Sequence, residues 1–558
     1  MSLGLRMDSG DLWWKQSILY CLDVKTFFDA NDDGVGDFEG LIHRIDHLSA
    51  LGVSCVWLLP FYQSPHRDDG YDITDFYSID PRYGTIADFV AFIHAASERG
   101  IKVIIDLVAN HTSDEHPWFV ESRSSRESPK RHWYIWSDEP IDEATSIIFP
   151  GLQTTNWTFD EESGQYYFHR FHDFQPDLNH SNREVREEIM QIMRFWIQLG
   201  VAGFRFDAAP FLIETVGVHD EPNKAHHEWL REYAAFIKRR RGDAVLVGEA
   251  NLDPKETAEY FGDGDEMHLL YNYSQNAALL ASLASEEAEP LADHFSALPP
   301  IPEQCGWLNF ARLHDELNMD RLDERRKKTV FDVFAPEENM RIYGRGLRRR
   351  LPPMLEGDRR RLELAYSLTF ATPGMPMLFY GEEIGMGDNL DLPDRLPART
   401  VMQWSSADNG GFSGGDPADM VRPVAAEPFG PKRVNVKDQR DDPNSFLHWM
   451  QRLITTRKES SAIGYGQVEV VDSGQPDVLV HRFDWETHLV LTVHNLTDQP
   501  KTLNLRRLAG ERAHNLELEF ADGSKWGVEP VADEEVELPG YGYRWIRGFT
   551  RPTKNPLP

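Results

Sequence analysis

The sequence predicts an α/β fold: a closed (β/α)8 TIM barrel with an inserted B subdomain after strand 3 and a C-terminal all-β sandwich domain. Three observations carry this. A unit of amphipathic helix, glycine and β-branched strand recurs between residues 18 and 460. Eight near-continuous apolar runs fall within that stretch. From about Gly464 the period changes to strict alternation. Apolar strands separated by helices mean a parallel sheet covered by helices, and eight of them are enough to close a barrel.

The helices are read from their stripes and stops. Leu41, Ile45, Leu48 and Leu51 form one face, ended by Gly52 before the strand Val53–Pro60. Thr85 is placed to cap a second helix carrying Phe89, Val90 and Ile93, closed by Gly100 before Lys102–Val108. Val185, Ile189, Ile192, Trp196 and Leu199 repeat the pattern and stop at Gly200 before Val201–Ala208. The remaining strands are expected at Ile18–Phe27, Ala244–Ala250, His268–Tyr273, Leu308–Leu313 and Pro376–Tyr380. An open doubly wound sheet is the competing architecture, but no glycine-rich phosphate loop follows the first strand.

These patterns assign residues 1–113 and 177–463 to the barrel, 114–176 to the insertion and 464–558 to the β domain. The insertion is marked by loss of the helical period in aromatic, Ser- and Pro-containing sequence. The β domain reads as a packing domain more readily than as a carbohydrate-binding module. The basic runs Lys238–Arg241, Arg325–Lys328 and Arg348–Arg350 stand isolated in an acidic chain and read as solvated helix faces.

The 558 residues are 41% hydrophobic, enough for a large core. Ninety-one acidic against 58 basic residues give a formal charge of −33. That field disfavours nucleic acid and anionic membranes as partners and leaves a small neutral oligosaccharide unaffected. Cys21, Cys55 and Cys305 lie in apolar runs and are expected as buried reduced thiols. No apolar stretch reaches the roughly twenty residues needed to span a bilayer. The opening residues lack an apolar signal core, so a cytoplasmic location is expected. Composition neither requires nor excludes a homo-oligomer, and no organic cofactor is called for.

Strand ends carry the chemistry, because loops at the C-terminal face of a barrel converge over one pocket. In Val201–Ala208 the two-residue period puts Gly203, Arg205 and Asp207 on one face and turns Phe204 and Phe206 outward. Arg205 is expected to keep Asp207 ionised, as a nucleophile requires; a structural ion pair is the alternative. Glu249 ends the next strand in the same parity as Val245 and Val247. Apolar walls and a nearby carboxylate are expected to raise its pKa, as a general acid requires. Neighbouring strands can hold two carboxyls about 5 Å apart, the separation of retaining glycosidases. Asp315, His314 and His111 lie at or just past further strand ends and are placed to hold sugar hydroxyls.

The segments DLVANHTS (106–113), GFRFDAAP (203–210), VGEAN (247–251) and LHD (313–315) resemble the four signature regions of the α-amylase superfamily, glycoside hydrolase family thirteen. QPDLN (175–179) matches a fifth, and RDDGYDITDFY, PGMPMLFYGEEIGMGDN and ARTVMQW match flanking stretches. The resemblance covers nearly the whole chain. It implies Asp207 as nucleophile, Glu249 as acid/base and Asp315 as transition-state stabiliser. It also implies Asp68, Tyr71, His111, Arg205, His314 and Arg399 as sugar contacts, with Asp68 and Arg399 closing a blind pocket at the non-reducing end. The branch most resembled is that of trehalose synthases and related α-glucosidases, which implies maltose/trehalose interconversion, with hydrolysis or another glucosyl transfer as the alternative. Leu313 departs from the asparagine usual before the His-Asp pair, and FLIETVGVHDEPNKAHHEW (211–229) and the stretch after GFSGGD (411–416 region) also differ from that branch.

One further site is read from ligand spacing. Asp29, Asn31, Asp33 and Asp37, with Gly34 in the turn, alternate oxygen ligands as a hard cation prefers, though an acidic turn is the plain alternative. The loop DANDDGVGDFEG resembles the calcium loop of the oligo-1,6-glucosidase and trehalose-synthase branch. That resemblance implies a structural calcium ion with Val35 lending its carbonyl. Two other classes are disfavoured: a non-catalytic homologue, because all three carboxylates are present, and a metal-dependent barrel enzyme, because no H-x-H or HExxH lies at a strand end.

Overall fold

The computed structural model describes residues 9–141, 147–215, 225–510, 513–522, 529–531 and 535–550. Eight parallel strands close into a barrel: β1 (Leu19–Leu22), β2 (Cys55–Leu58), β3 (Lys102–Leu107), β4 (Gly203–Phe206), β5 (Val245–Gly248), β6 (Leu269–Tyr271), β7 (Gly306–Phe310) and β8 (Met375–Phe379). Each pairs with its sequence neighbours, and β8 returns to β1. Every residue of β1, β2, β4 and β5 is buried, as strands covered on both faces must be.

The three helices read from the sequence form as α1 (Phe38–Leu51), α2 (Ile86–Glu98) and α3 (Arg183–Gln198). Thr85 closes a reciprocal capping box with Asp88, an arrangement worth about 1 kcal/mol. Gly52 (φ 92°) and Gly200 (φ 106°) turn left-handed where α1 and α3 meet the next strands. A Cβ at either would come within 2.9 Å of Ile454 or 2.7 Å of Ile93, so packing as well as φ selects glycine there. The first strand is shorter than the apolar run Ile18–Phe27 suggests. Asp23 accepts a hydrogen bond from the Lys25 amide (3.2 Å) and caps a four-residue helix, Val24–Phe27, ending β1 at Leu22.

Between β3 and α3 the chain forms a short helix, Pro117–Arg123, and a three-stranded antiparallel sheet of Trp136–Ser137, Gln165–Phe168 and Trp157–Asp160. Its small core is aromatic: Phe119 stacks on Trp136 at 5.5 Å and meets Tyr167 edge-on at 5.1 Å. Single bridges from His111 to Asp177 and from Tyr134 to Leu178 tie this region to the end of β3.

Among its described residues from Gln467 onward, the C-terminal part is β-structured apart from the short helix Leu505–Ala509. A six-stranded sheet faces the two-stranded pair Lys501–Asn504 and Glu535–Leu538 across Val480, Leu491, Leu503, Leu508 and Leu538. Ala513–Ala521 and Glu535–Leu538 are strands the alternation did not reveal. Ala513–Ala521 pairs through two register shifts, which break the two-residue period a strand is recognised by. Trp545 Nε1 donates to Ser367 (2.9 Å) and Trp449 Nε1 to Tyr543 (2.6 Å), fastening this domain to the barrel's helices. All three cysteines are free and buried. Arg350 corrects the reading of the basic runs: it is 1% exposed and donates to the carbonyls of Tyr380 (2.9 Å) and Ala398 (2.7 and 3.0 Å). Among the described residues no helix is long and apolar enough to cross a membrane.

Candidate active site

Strand register brings the principal carboxylates together. Asp106 on β3 pairs with Arg205 on β4, and Arg205 pairs with Val247 on β5. Two residues further along, in the same inward parity, come Asp207 and Glu249, one step beyond the paired Phe206 and Gly248. Phe206 points the other way and packs on Tyr233 of the outer helix His227–Lys238 at 5.7 Å. The alternation predicted for β4 is therefore what places an arginine beneath an aspartate at the mouth of the barrel.

Arg205 is 1% exposed and forms the floor. Its Nη1 donates to Asp106 (2.7 Å) and Asp207 (2.5 Å), and its Nη2 donates to Glu249. Tyr273 donates to the other oxygen of Glu249 (2.5 Å). Asp106 also accepts from Trp57 (3.1 Å) and Tyr71 (3.2 Å). Three carboxylates thus share one guanidinium. Burial pushes the Asp106 carboxyl up to about 7, against the pull of Arg205 and with the push of Asp207. Burial likewise raises Asp207, again opposed by Arg205 and aided by Asp315. The expectation that Arg205 keeps Asp207 ionised is corrected: it does pull in that direction, but one cation is divided among three acids and burial outweighs it.

The wall opposite is different. His314 Nε2 lies 2.9 Å from Asp315 and 2.8 Å from the Tyr71 hydroxyl. Burial lowers the His314 pKa to about 4, so the ring is neutral near pH 7. Arg395 joins Asp315 and Asp68 at 2.6 Å each, and Arg399 donates to Asp315 (2.9 Å), Asp69 (2.6 Å) and the His314 carbonyl (2.9 Å). Although burial works against it, His314, Arg395 and Arg399 hold the Asp315 carboxyl well below the usual carboxylate range. Gln175, from the QPDLN segment, donates to the second oxygen of Asp68 (2.9 Å). His111 lies beside the Tyr71 carbonyl (3.2 Å), and burial lowers its pKa to about 4.

Asp68, Tyr71, His111, Asp207, Glu249 and Asp315 all line one cavity of about 490 Å3. Arg205, His314 and Arg399 stand behind that surface and orient the groups that line it. Asp68 and Arg399 make no direct contact; Arg395 links Asp68 to the wall. Sequence reasoning missed Asp106, Tyr273, Arg395 and Asp69. Asp106 was visible through its inward parity, whereas Arg395 sits in a loop with no periodic signal. The rest of the lining is mixed: Ile147, Ile148, Phe149, Phe171, Phe211 and Leu252 are apolar, while Glu316, Asp320, Arg321 and Arg345 are charged. Leu313 is fully buried and does not line the cavity. Much of the divergent 211–229 stretch, residues 216–224, lies outside the described residues.

The proposed cation loop keeps its oxygens on its own backbone. Asp29 accepts from the amides of Asn31 (3.1 Å), Asp32 (2.8 Å) and Gly34 (2.8 Å), and Asn31 and Asp33 accept from residues two further on. Asp37 accepts from Gly40 (2.6 Å) and Ala30 (3.2 Å).

A parallel eight-stranded barrel with paired carboxyls at adjacent strand tips is the architecture of an acid/base and nucleophile enzyme. The chain belongs to the α-amylase family: residues 24–466 match the alpha amylase catalytic domain, and residues 488–547 match the C-terminal domain of sucrose hydrolase-like proteins. Within that family it is similar to trehalose synthases. It is 38% identical over 552 residues to the trehalose synthase of Pimelobacter sp. (strain R48), covering 96% of each chain. It is 38% identical over 548 residues to the trehalose synthase/amylase TreS of Mycobacterium tuberculosis (strain ATCC 25618 / H37Rv), covering 96% of this chain and 90% of that one. Among solved structures, the trehalulose synthase MutB from Pseudomonas mesoacidophila MX-45 superposes with a TM-score of 0.77 at 23% identity, covering 96% of this chain and 99% of that one.

Proposed function

We propose that the protein interconverts maltose and trehalose through a covalent glucosyl-enzyme. The observation that carries this is the register of β4 and β5, which seats Asp207 and Glu249 side by side at the mouth of one cavity. In this scheme Asp207 attacks the anomeric carbon of the non-reducing glucose while Glu249 protonates the departing oxygen. The C–O bond to the leaving glucose breaks as the Asp207 ester forms. Asp315, kept ionised by its arginines, stabilises the positive charge developing on the ring. The freed glucose then turns, Glu249 takes a proton from its anomeric hydroxyl, and the new bond forms with release of Asp207.

Isomerisation requires the freed glucose to stay and water to stay out. The likeness to trehalose synthases over nearly the whole chain supports that requirement, and the apolar residues among the lining, such as Phe149, Phe171 and Phe211, contribute to it. Simple hydrolysis is the second reading, favoured by a relative whose name includes amylase activity. Product analysis on maltose separates the two. Trehalose in excess over glucose is expected; glucose alone overturns the isomerase reading. The substrate is a neutral disaccharide, and we place the reaction in the cytoplasm.

We also propose that the loop from Asp29 to Asp37 holds a structural calcium ion. Its side-chain oxygens are pinned by backbone amides, which leaves each carboxylate further lone pairs for a cation. Among the described residues no three His, Cys, Asp or Glu side chains converge on a metal position. The side-chain donors in this geometry therefore supply at most two of the carboxylates 29, 33 and 37 to one ion, and the Asn31 amide oxygen and the Val35 carbonyl would have to complete the shell. The ion would brace the loop and take no part in the reaction. Chelation is expected to lower the melting temperature more than activity; an unchanged melting curve removes calcium from the account.

A further inference from the structure

We infer that the protein carries a second, non-catalytic carbohydrate site. It lies in a cleft of about 500 Å3 where the hairpin of Tyr62–Gln63 and Asp75–Ile79 meets the helix Pro117–Arg123. The cleft shares no lining residue with the catalytic cavity. Two chain segments run between them: one from His111 in the cavity to His116 in the cleft, and one from Gln63 to Tyr77 in the cleft that carries Asp68 and Tyr71 of the cavity.

The cleft is built from fixed groups. His116 is 4% exposed and caps the helix, with Nδ1 accepting from the Trp118 amide at 3.1 Å. That bond leaves the ring proton on Nε2, which lines the cleft without a partner among the described residues. Burial lowers the His116 pKa to about 3, so the ring is a neutral donor at ordinary pH. The half-buried indole of Trp118 is wedged by His116 (4.3 Å), Trp133 (5.0 Å) and Phe76 (5.8 Å), and so offers a rigid apolar surface. Across the cleft the Tyr77 hydroxyl donates to one oxygen of Glu188 at 2.7 Å and leaves the other as an acceptor. The Gln63 side chain adds a donor and an acceptor.

An immobile aromatic surface, a neutral donor and a carboxylate acceptor together match a polyhydroxylated ring, which has apolar C–H faces and hydroxyls that both give and take hydrogen bonds. The carboxylates of Asp75, Glu115 and Glu188 in the lining repel phosphorylated or acidic sugars. The ligand class is a neutral α-gluco-oligosaccharide. The choice of the α-glucose series rests on membership of the family, and the site does not depend on whether the catalytic cavity isomerises or hydrolyses.

The test is calorimetric titration of the full chain with maltotriose, using an Asp207→Asn background to stop turnover. Adding Trp118→Ala is expected to remove one binding event, and adding Glu188→Gln, which keeps the shape, to weaken it at least tenfold. In the otherwise native enzyme, both substitutions are expected to leave kcat/KM for maltose unchanged. A titration that neither substitution alters overturns the inference. So does a fall in kcat/KM that tracks the loss of binding, because the cleft would then serve the catalytic cavity.

Discussion

The floor and the wall of the catalytic cavity use the same residue types to opposite effect. On the floor one arginine, Arg205, faces Asp106, Asp207 and Glu249. On the wall Asp315 has two arginines, 395 and 399, and Asp69 behind it has Lys25, Arg399 and Arg422. All these groups are desolvated, so the ratio of cations to carboxylates decides the outcome. Where cations are scarce, burial wins and Asp106 and Asp207 are pushed up. Where they are plentiful, Asp315 and Asp69 are held down. The cavity thus has one side where carboxylates compete for a single cation and one where Asp315 is held as a fixed negative charge, the role a stabiliser of a positive ring requires.

The largest expected effect comes from removing the reacting group of the floor. Asp207→Asn should lower kcat on maltose by roughly 10⁴-fold or more, since a nucleophile has no substitute in the cavity. Its melting temperature should stay near or above that of the parent, because one of three crowded carboxylates is gone. Steady-state rates and thermal melts check both halves. Arg205→Met attacks the same region from the other side. It leaves three buried acids with no cation and should cost about 3–5 kcal/mol by denaturant titration. A cost below about 1 kcal/mol would mean the floor does not depend on that guanidinium.

The wall should be more tolerant, because its cations are redundant. Arg395→Met leaves Asp315 with Arg399 and His314, and a loss of about tenfold in kcat/KM is expected, corresponding to about 1.4 kcal/mol. A loss as large as that of Asp207→Asn would erase the distinction between the two sides.

The smallest effect calibrates burial acting alone. His294 lies outside the cavity, its Nε2 has no partner among the described residues, and burial lowers its pKa to about 3. A base depressed in this way binds fewer protons folded than unfolded. Its contribution is full above the unfolded value near 6.5 and is lost as pH falls through that value toward 3. His294→Leu should therefore gain in melting temperature relative to the parent between pH 6.5 and 4. A difference that does not change with pH contradicts this.

The contrast between the two sides was only half legible in the sequence. The floor is written in local period: Arg205 and Asp207 are two apart on one strand, and Glu249 takes the matching parity on the next. Helix stops at Gly52, Gly100 and Gly200 likewise located the strands that follow them. The wall is made by contacts between residues far apart in the chain, such as Asp68 with Arg395 or Asp69 with Arg422, and loops carry no period from which to read them. Arg350 misled for the same reason. Its neighbours suggested a solvated run, but its donors are spent on carbonyls from residues 380 and 398. Asp23 shortened β1 because an N-cap outweighs a few apolar residues.

The direct test of the glycosyl-enzyme chemistry is intact-protein and peptide mass spectrometry of a Glu249→Gln variant given α-glucosyl fluoride. Fluoride leaves without a general acid, whereas release of the glucosyl ester lacks its base. One anhydroglucose unit should accumulate on the peptide containing Asp207. A label on another residue, or turnover of the fluoride with no covalent adduct at any time, would contradict the account.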